Sequence, residues 1–246
     1  MRVYALGDPH LGFAVNKPMD IFGPRWAGHP GRLFQNWEAT VGPEDIVLVP
    51  GDISWGMTLE EALPDLTELD GLPGRKLMIP GNHDYWWESL KKLRALPLST
   101  IEFIQNDAIL LPPGSVPGVE GQVAVCGSRG WITPGDRSWA EDLEHNTKIY
   151  NRELGRVRMS LEAGRKAGAS AFLVMLHYPP VAEDHQPTGF TDLLESWGGV
   201  LACLYGHLHG GGAQNRAFQG VHGEVRYRLV ACDGIDFTPV PVFEAE

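Results

Sequence analysis

Residues 46–52 have the sequence Ile-Val-Leu-Val-Pro-Gly-Asp, a short aliphatic run that ends in a proline, a glycine and a carboxylate. Short runs of this kind, separated by helical stretches, are typical of buried parallel strands, which gather functional residues at their carboxyl ends. We therefore predict an α/β fold in which one edge of one sheet carries every metal-binding side chain. Four more apolar runs lead into such residues: 3–6 before Asp8 and His10, 77–79 before Asn82, His83 and Asp84, 171–176 before His177, and 200–205 before His207 and His209.

The composition is that of one compact domain. The chain has 246 residues, of which 43% are hydrophobic, enough to bury a large core. We expect a single domain over residues 1–246. No leader precedes the first strand-like run, and no apolar stretch approaches the ~18 to 20 residues of a membrane span, so we expect a cytoplasmic protein without membrane contact. Cys126, Cys203 and Cys232 lie in or beside apolar runs and are expected to be reduced core thiols.

The remaining patterns predict further helices and strands around these runs. We expect helices at residues 31–40, 59–69 and 85–96, and a long helix that ends at Lys166 and begins with a capping box formed by Ser138 and Glu141. Runs at 101–104, 108–111 and 123–126 are interrupted by turn residues and predict a second, partly antiparallel group of strands. Closing strands are expected at 225–231 and 237–243, and Pro239 and Pro241 confine the last one to an edge.

The metal-binding residues have a composition suited to two cations. Two aspartates, one asparagine and four histidines supply oxygen and nitrogen donors in a number that a purely structural site would hardly need. The net charge of −11 opposes binding to duplex nucleic acid. Two divalent cations at the site would still attract a small anion, because their field acts at close range while surface carboxylates are screened over roughly 8 to 10 Å. The sequence therefore predicts a two-metal hydrolase with a small phosphorylated substrate.

Five segments carry a resemblance to a known family: Asp8-Pro9-His10, Gly51-Asp52, Gly81-Asn82-His83-Asp84, His177 and Gly206-His207-Leu208-His209. In order, type and separation they resemble the motifs of the calcineurin-like metallophosphoesterase superfamily. The resemblance implies a four-layer α/β/β/α sandwich with two mixed β-sheets, and metal-dependent hydrolysis of a phosphate ester. The residues that it assigns to the first metal are Asp8, His10 and His209, those of the second are Asn82, His177 and His207, and Asp52 bridges the two.

The resemblance also implies the catalytic roles. His83 is the expected general acid, Asp84 would hold its ring, and a metal-bridging hydroxide would attack phosphorus in line. Donors without thiolate favour Mn²⁺, Fe²⁺, Zn²⁺ or Co²⁺, and Mn²⁺ is our first expectation. Trp55 stands where purple acid phosphatases have a tyrosine ligand, and the Asp-Arg-Gly sequence of protein Ser/Thr phosphatases is not found after Asp52. Arg129 is a candidate for substrate binding together with Asn82 and His83, or else forms a salt bridge with the excess acid of the domain.

Several alternatives remain at the level of sequence. We expect a phosphodiester or a small phosphorylated metabolite as substrate. A nuclease that acts on single-stranded DNA or RNA ends is the enzymatic alternative, and a non-catalytic scaffold is the other.

The long loop 11–29 borders the first motif and is a candidate lid. The aromatic residues at 22–26 and 86–87 form either a stacking platform or, as we favour, ordinary packing. His29, His145, His185 and His222 are expected at the surface.

Overall fold

The computed structural model describes residues 1–243 and contains two β-sheets flanked by helices. Among the described residues, no helix is long and apolar enough to span a membrane. The strands are β1 (Val3–Ala5), β2 (Ile46–Pro50), β3 (Arg75–Ile79), β4 (Ile101–Phe103), β5 (Ile109–Leu110), β6 (Val123–Ser128), β7 (Ala171–Leu176), β8 (Val200–Tyr205), β9 (Gly220–His222), β10 (Val225–Leu229) and β11 (Val240–Pro241). The α-helices are α1 (His29–Thr40), α2 (Leu59–Gly71), α3 (Leu90–Leu93), α4 (Leu143–Lys166), α5 (Gly189–Trp197) and α6 (Gly210–Gln214).

Both sheets are mixed, and each has parallel strands at its centre and at least one antiparallel edge strand. The first has the order β11-β1-β2-β3-β4, in which β1 to β4 are parallel and β11 is an antiparallel edge strand. The second has the order β5-β6-β7-β8-β10-β9, in which β5 and β9 are antiparallel to their neighbours. The parallel strands therefore all end at one side of their sheet, which is where functional residues are expected in such sheets.

The two sheets pack face to face and each carries helices on its outer face. Between them lies an apolar layer that includes Leu48 and Ile79 from the first sheet and Met175 and Leu204 from the second. Trp37 of α1 packs with other apolar residues on the outside of the first sheet, while residues of α4 and α5 cover the second. Full burial of each such side chain contributes roughly 1.5 to 3 kcal/mol. The predicted four-layer α/β/β/α sandwich is confirmed.

Helix α4 begins later than the sequence predicts. Ser138 does not cap it, because the Ser138 hydroxyl donates to Asp136 Oδ1 at 2.6 Å and a 3₁₀ turn at Trp139–Asp142 follows. The Asp142 side chain is the cap, and it accepts from the backbone N–H of His145 at 3.1 Å. The helix is followed by Gly168 at φ 98°, a left-handed residue that suits the position after a helix.

The predicted helix at 85–96 is wrong for most of its length, since only Leu90–Leu93 is helical. The Trp86 indole N–H donates to Asp84 Oδ1 at 2.9 Å, and the backbone N–H of Trp87 donates to Asp84 O at 3.1 Å. These bonds fold the segment into a turn and bury Trp86, so the helix cannot start there. The strand predicted at 237–243 is likewise reduced to Val240–Pro241, because Phe237 has φ 54°. Helix α5 was not predicted.

Candidate metal centre

The seven predicted metal ligands come together at the carboxyl ends of strands from both sheets. Asp8, Asp52 and Asn82 follow β1, β2 and β3 of the first sheet. His177 follows β7, and His207 and His209 follow β8 of the second. The expectation of one edge of one sheet is therefore wrong, because the chain divides its parallel strands between two packed sheets whose carboxyl ends meet.

Three side chains form the first group. His10 Nε2 lies 3.1 Å from His209 Nε2, and His209 Nε2 lies 3.6 Å from Asp8 Oδ1. Ligand atoms of these three residues all lie within 4.8 Å of one another, close enough for one cation to contact them together. The first set of donors predicted from sequence is thus assembled.

The second group surrounds His177. Its Nε2 lies 2.7 Å from Asn82 Oδ1 and 3.2 Å from His207 Nδ1. The Oδ2 atom of Asp52 is 3.4 Å from His177 Nε2 and 3.6 Å from His10 Nε2. Asp52 therefore stands between the two groups, in the position that a bridging carboxylate requires.

The ligands are presented by turns. Asp8, His10, Asp52 and His207 have φ values of 58°, 47°, 51° and 73°, in the left-handed region that residues other than glycine seldom occupy. Strand geometry does not align Asp8 with His10, because β1 ends at Ala5 before either residue. Strained backbone at functional sites is held by surrounding structure, and here it directs the donors inward.

Glycines allow the ligand turns to pack closely. Gly51 has φ 89°, and a Cβ there would also meet the backbone N of Gly81 at 2.6 Å. A Cβ on Gly81 would overlap the Asp52 carboxylate, and one on Gly206 would overlap the Asp8 carboxylate. Only Gly51 of these three is needed for a left-handed turn, whereas Gly81 and Gly206 are needed for space.

Burial controls the protonation of the cluster. It raises the pKa of Asp52 to about 9, and the neighbouring carboxylates of Asp84 and Asp8 act in the same direction. Burial lowers the pKa of His177 and that of His207 to about 3. Burial also opposes protonation of His209, but hydrogen bonds to Asp233 and Asp8 and the charges of both carboxylates raise its pKa to about 10. Without cations, Asp52 and His209 therefore each hold a proton at neutral pH.

The residues present fit two divalent cations. Asp8 Oδ2 is buried and has no hydrogen-bond partner within residues 1–243. Buried polar atoms of this kind normally have a partner, and a cation supplies one. Carboxylate, amide and imidazole donors suit Mn²⁺, Fe²⁺, Zn²⁺ or Co²⁺.

Asp233 supports this cluster and was missed in the sequence. Its Oδ1 lies 2.8 Å from His209 Nδ1, and its Oδ2 accepts from the backbone N–H of Gly210 at 2.9 Å. The available signal was its place shortly after β10, a parallel strand that ends beside β8. A carboxylate that bonds the far nitrogen of a histidine ligand fixes the tautomer and orientation of the ring.

The expected role of Asp84 is wrong in this structure. Its carboxylate accepts from the backbone N–H groups of Ile53, Ser54 and Gly81 at 2.8, 3.1 and 2.7 Å, and from the Trp86 indole. Within the described part of the chain, no hydrogen bond joins it to the His83 ring. Asp84 therefore ties the turn after β2 to the turn after β3, the two segments that present Asp52 and Asn82.

His83 lies half-buried at the rim of the cluster. Its backbone N–H donates to Asp52 Oδ1 at 2.8 Å, while its ring lies 4.5 Å from the Trp55 ring and 5.8 Å from the His10 ring, centre to centre. Burial lowers the pKa of its imidazole, and the charges of His209 and Lys17 add to this effect. The side chain is thus near both groups and remains open to a ligand.

Arg129 lies next to the second group of donors. The backbone N–H groups of His177 and Tyr178 both donate to its carbonyl at 3.0 Å, and its guanidinium lies 5.0 Å from the centre of the Trp131 ring. Its Nε is buried without a partner, and no acidic side chain among residues 1–243 pairs with it within 4.0 Å. The salt bridge considered as an alternative is therefore not formed in this structure.

Loop 11–29 forms one wall of the site. Trp26 is 4% exposed and its ring meets the His209 ring edge to face at 5.4 Å. His29 is buried, contrary to expectation, because its Nε2 bonds the carbonyl of Pro9 at 3.0 Å. A cavity of about 330 Å³, here called the aromatic cavity, opens between this loop and the metal-binding groups. Its lining residues are Met19, Phe22, Arg25, Trp26, Trp55, His10, His83, His209, Gly210 and Asp233.

The remaining expectations have mixed outcomes. Trp86 and Trp26 are buried packing residues, as favoured, whereas Phe22 is 64% exposed. His145 and His185 are exposed, and His222 is half-buried in an ion pair with Glu195. Cys126, Cys203 and Cys232 are buried free thiols.

Comparison with known proteins identifies the family. The sequence pattern described as calcineurin-like phosphoesterase matches residues 1–211. The Gene 66 protein of Mycobacterium phage D29 is 35% identical over 116 residues, and that of phage L5 is 41% identical over 56 residues. These alignments cover 46% and 23% of this chain, and 56% and 27% of the phage proteins, so the chain spans at most about half the length of these relatives.

A solved structure agrees with this assignment at the level of the fold. Phosphopantetheinyl hydrolase (PptH) from Mycobacterium tuberculosis has 15% sequence identity and a TM-score of 0.52, over 94% of this chain and 88% of that protein. The family pattern covers the segments that present the assembled donors, from Asp8 to His209. This chain belongs to the calcineurin-like phosphoesterase family.

Proposed function

We propose that this protein hydrolyses a phosphodiester or a small phosphorylated metabolite by in-line attack of water on phosphorus, with two cations, Mn²⁺ first among them. The observation that carries the proposal is the position of Asp52, whose Oδ2 lies 3.4 and 3.6 Å from nitrogen atoms of the two ligand groups. One carboxylate between two donor sets is the arrangement that binuclear hydrolases use. The three buried free thiols are consistent with a reducing cytoplasm as the compartment.

The metal ligands follow from the two groups. The first cation would be held by Asp8, His10 and His209. The second would be held by Asn82, His177 and His207. Asp52 would contact both cations. Bound cations would supply charge stabilisation to the phosphoryl oxygens and lower the pKa of water. The protein's own contribution is to fix these donors by strained turns and by hydrogen bonds that the carboxylates of Asp233 and Asp84 and the carbonyl of Pro50 accept.

His83 is the residue we assign to the leaving oxygen as general acid. Its ring lies at the rim, near both ligand groups and on the wall of the aromatic cavity. Burial lowers its pKa in the free site. An anionic phosphate ester beside the ring favours the imidazolium, so substrate binding would bring the proton that the departing alkoxide needs.

Arg129 is the residue we assign to a phosphate oxygen. Its guanidinium is half-buried, next to the second ligand group and without an acidic partner among the described residues. A guanidinium can give two parallel hydrogen bonds to a phosphate, a geometry that lysine does not offer. Asn82 lies on the same side and would contact substrate as well as metal.

A small substrate suits the site better than a polymer does. The net charge of −11 opposes a long polyanion, and loop 11–29 forms a wall beside the first ligand group. The confined aromatic cavity leads directly from His83. These features favour a substrate that has one phosphate and a compact leaving group.

The test is turnover by protein loaded with Mn²⁺. We expect hydrolysis of bis(p-nitrophenyl) phosphate or p-nitrophenyl phosphate. With benzyl phosphate or methyl benzyl phosphate, whose alkoxide needs a proton to leave, we expect a fall in kcat of roughly 10²- to 10⁴-fold in His83→Ala, since proton transfer contributes about that much. Metal content should stay at the wild-type level in this variant, and His145→Ala, which replaces an exposed histidine, is the matched control.

The outcomes separate the alternatives. Bound metal without turnover of either ester would contradict the proposal and favour a scaffold. Degradation of labelled single-stranded oligonucleotides in preference to both esters would favour a nuclease. Equal kcat for His83→Ala and wild type would remove His83 from the chemistry.

A further inference from the structure

The aromatic cavity is lined in part by residues that the metal-binding motifs do not explain. On one side it is lined by His10, His209 and the proposed general acid His83. On the other it is lined by Met19, Phe22, Arg25, Trp26 and Trp55, none of which is a predicted ligand or catalytic residue. A volume of about 330 Å³ is within the range of small-molecule sites.

Two walls of the cavity are fixed by packing. Trp55 stacks on His10 with ring centres 4.9 Å apart and an interplanar angle of 20°, and its indole N–H contacts Met19 Sδ at 3.2 Å. Trp26 packs edge to face with His209 at 5.4 Å and with Phe237 at 5.3 Å. These rings are therefore in place before a ligand arrives, so little conformational entropy is lost on binding.

The third wall is open to solvent. Phe22 is 64% exposed although it lines a cavity, and its ring would lose contact with water if the cavity were filled. Arg25 is 53% exposed, and its ion pair with Asp236, at 3.6 Å, is also solvent-exposed. Such a pair contributes little, so the guanidinium is available to another partner.

We infer that the aromatic cavity holds the leaving group of the substrate and selects an aromatic ring there, an inference that rests on the proposed function. His83 lines the cavity and is assigned to the leaving oxygen, so the group attached to that oxygen enters the same space. Indole and phenyl rings, a thioether and a guanidinium all interact more favourably with an aromatic ring than with an aliphatic one of similar size. The substrate class is thus a phosphate ester of an alcohol that carries an aromatic ring.

Methyl benzyl phosphate tests this selection within one molecule. Methanol and benzyl alcohol have nearly equal acidity, so the ratio in which they are released reports which group occupies the leaving side. We expect benzyl alcohol to exceed methanol by roughly tenfold with Mn²⁺-loaded wild type, the discrimination that one well-packed ring supplies. Phe22→Ala should lower this ratio severalfold.

The matched control is Ile21→Ala. Ile21 is 73% exposed, lies in the same 3₁₀ turn (Met19–Phe22) as Phe22 and does not line the cavity. The ratio of benzyl alcohol to methanol released by this variant should therefore equal the wild-type ratio. Equal release of both alcohols by wild type would overturn the inference while leaving the hydrolase intact. Release of neither alcohol, together with no turnover of either p-nitrophenyl ester, would instead contradict the proposed function.

Binding of inert phosphonates provides a second readout that needs no turnover. By calorimetry with Mn²⁺-loaded protein, benzylphosphonate should bind at least threefold more tightly than cyclohexylmethylphosphonate, and Phe22→Ala should reduce this difference. Equal affinities in wild type would show that the cavity does not select an aromatic ring.

Discussion

Asp233 shows how a single residue outside the motifs can control a metal ligand. Its carboxylate bonds both the Nδ1 of His209, at 2.8 Å, and the backbone N–H of Gly210, at 2.9 Å. The bond to Nδ1 leaves Nε2 of the ring facing Asp8 and His10. The His209 ring is therefore held in the tautomer whose Nε2 can bind a metal. The residue that holds it lies more than twenty positions later in the sequence.

We predict that Asp233→Ala weakens the binding of Mn²⁺ by roughly 10- to 100-fold, the usual effect of losing such a support. Asp236→Ala is the matched control, since this aspartate is 82% exposed and its carboxylate pairs with the exposed Arg25. Calorimetric titration of both variants with Mn²⁺ measures the difference. An unchanged affinity in Asp233→Ala would mean that the ring is held without the carboxylate.

The protonation of the free site predicts how metal affinity depends on pH. In the absence of metal the pKa of Asp52 is raised to about 9 and that of His209 to about 10, so both residues carry a proton at pH 7. His177 and His207, with pKa values of about 3, carry none. Cations must displace the two protons, and the affinity for Mn²⁺ should therefore rise between pH 6 and pH 9.

This pH dependence can be measured by titrations in buffers with different enthalpies of ionisation. Proton release on metal binding should be seen at pH 7. An affinity that is flat over the same range, or proton uptake, would show that the free site is already deprotonated.

At the residue level, the sequence predicted which side chains assemble at the site. It did not predict the residues that hold them in place. Asp8 and His177 could be recognised because each follows an apolar run. The partner of a carboxylate such as Asp84 depends on which backbone segment approaches it, and that approach is decided by tertiary structure. The burial of His29 has the same cause, since its partner is the carbonyl of Pro9.

At the level of elements, the strands were predicted well and their ends were not. β2, β7 and β8 lie where the apolar runs indicated. The turns that follow them take left-handed φ values at Asp52 and His207, a conformation that aspartate and histidine adopt more often than most residues but still seldom enough that the sequence does not single out these positions. The helix expected after residue 84 is replaced by a turn, because the Trp86 indole N–H and the Trp87 backbone N–H donate to Asp84 in local hydrogen bonds that compete with helix formation.

The turn after β8 offers a test of how closely these elements must pack. In Gly206→Ala the new Cβ would overlap the Asp8 carboxylate, so we expect a loss of roughly 1 to 3 kcal/mol in the free energy of unfolding and weaker binding of Mn²⁺. In Gly211→Ala the Cβ meets nothing within 4 Å, and no loss is expected. Thermal unfolding of both variants, with and without Mn²⁺, measures the effect. Equal behaviour would mean that the turn can shift without disturbing Asp8.

At the scale of the molecule, the site joins the two sheets. Asp52 comes from the first sheet and His177 from the second, and their closest side-chain atoms are 3.4 Å apart. A cation held by both would link the sheets across the apolar layer between them. The sequence could indicate parallel strands, but their division between two sheets is set by pairings between distant segments, which local patterns do not encode.

Metal binding should therefore stabilise the whole fold. At a free Mn²⁺ concentration of one hundred times the Kd, linkage adds about 2.7 kcal/mol, which for a chain of this size corresponds to a rise of roughly 5 to 10 °C in Tm. Differential scanning calorimetry before and after chelation measures this shift. We expect His207→Ala to reduce it and His145→Ala to retain it. A wild-type Tm that does not respond to metal would contradict a link between the sheets.

The support of His209 by Asp233 also has a consequence for how the protein is made. Asp233 follows Asp8 by 225 positions, so it leaves the ribosome long after the first motif. A nascent chain that has exposed every motif up to His209 still lacks the carboxylate that orients this side chain. Tight metal binding should thus arise only after Asp233 has been synthesised and has folded against His209.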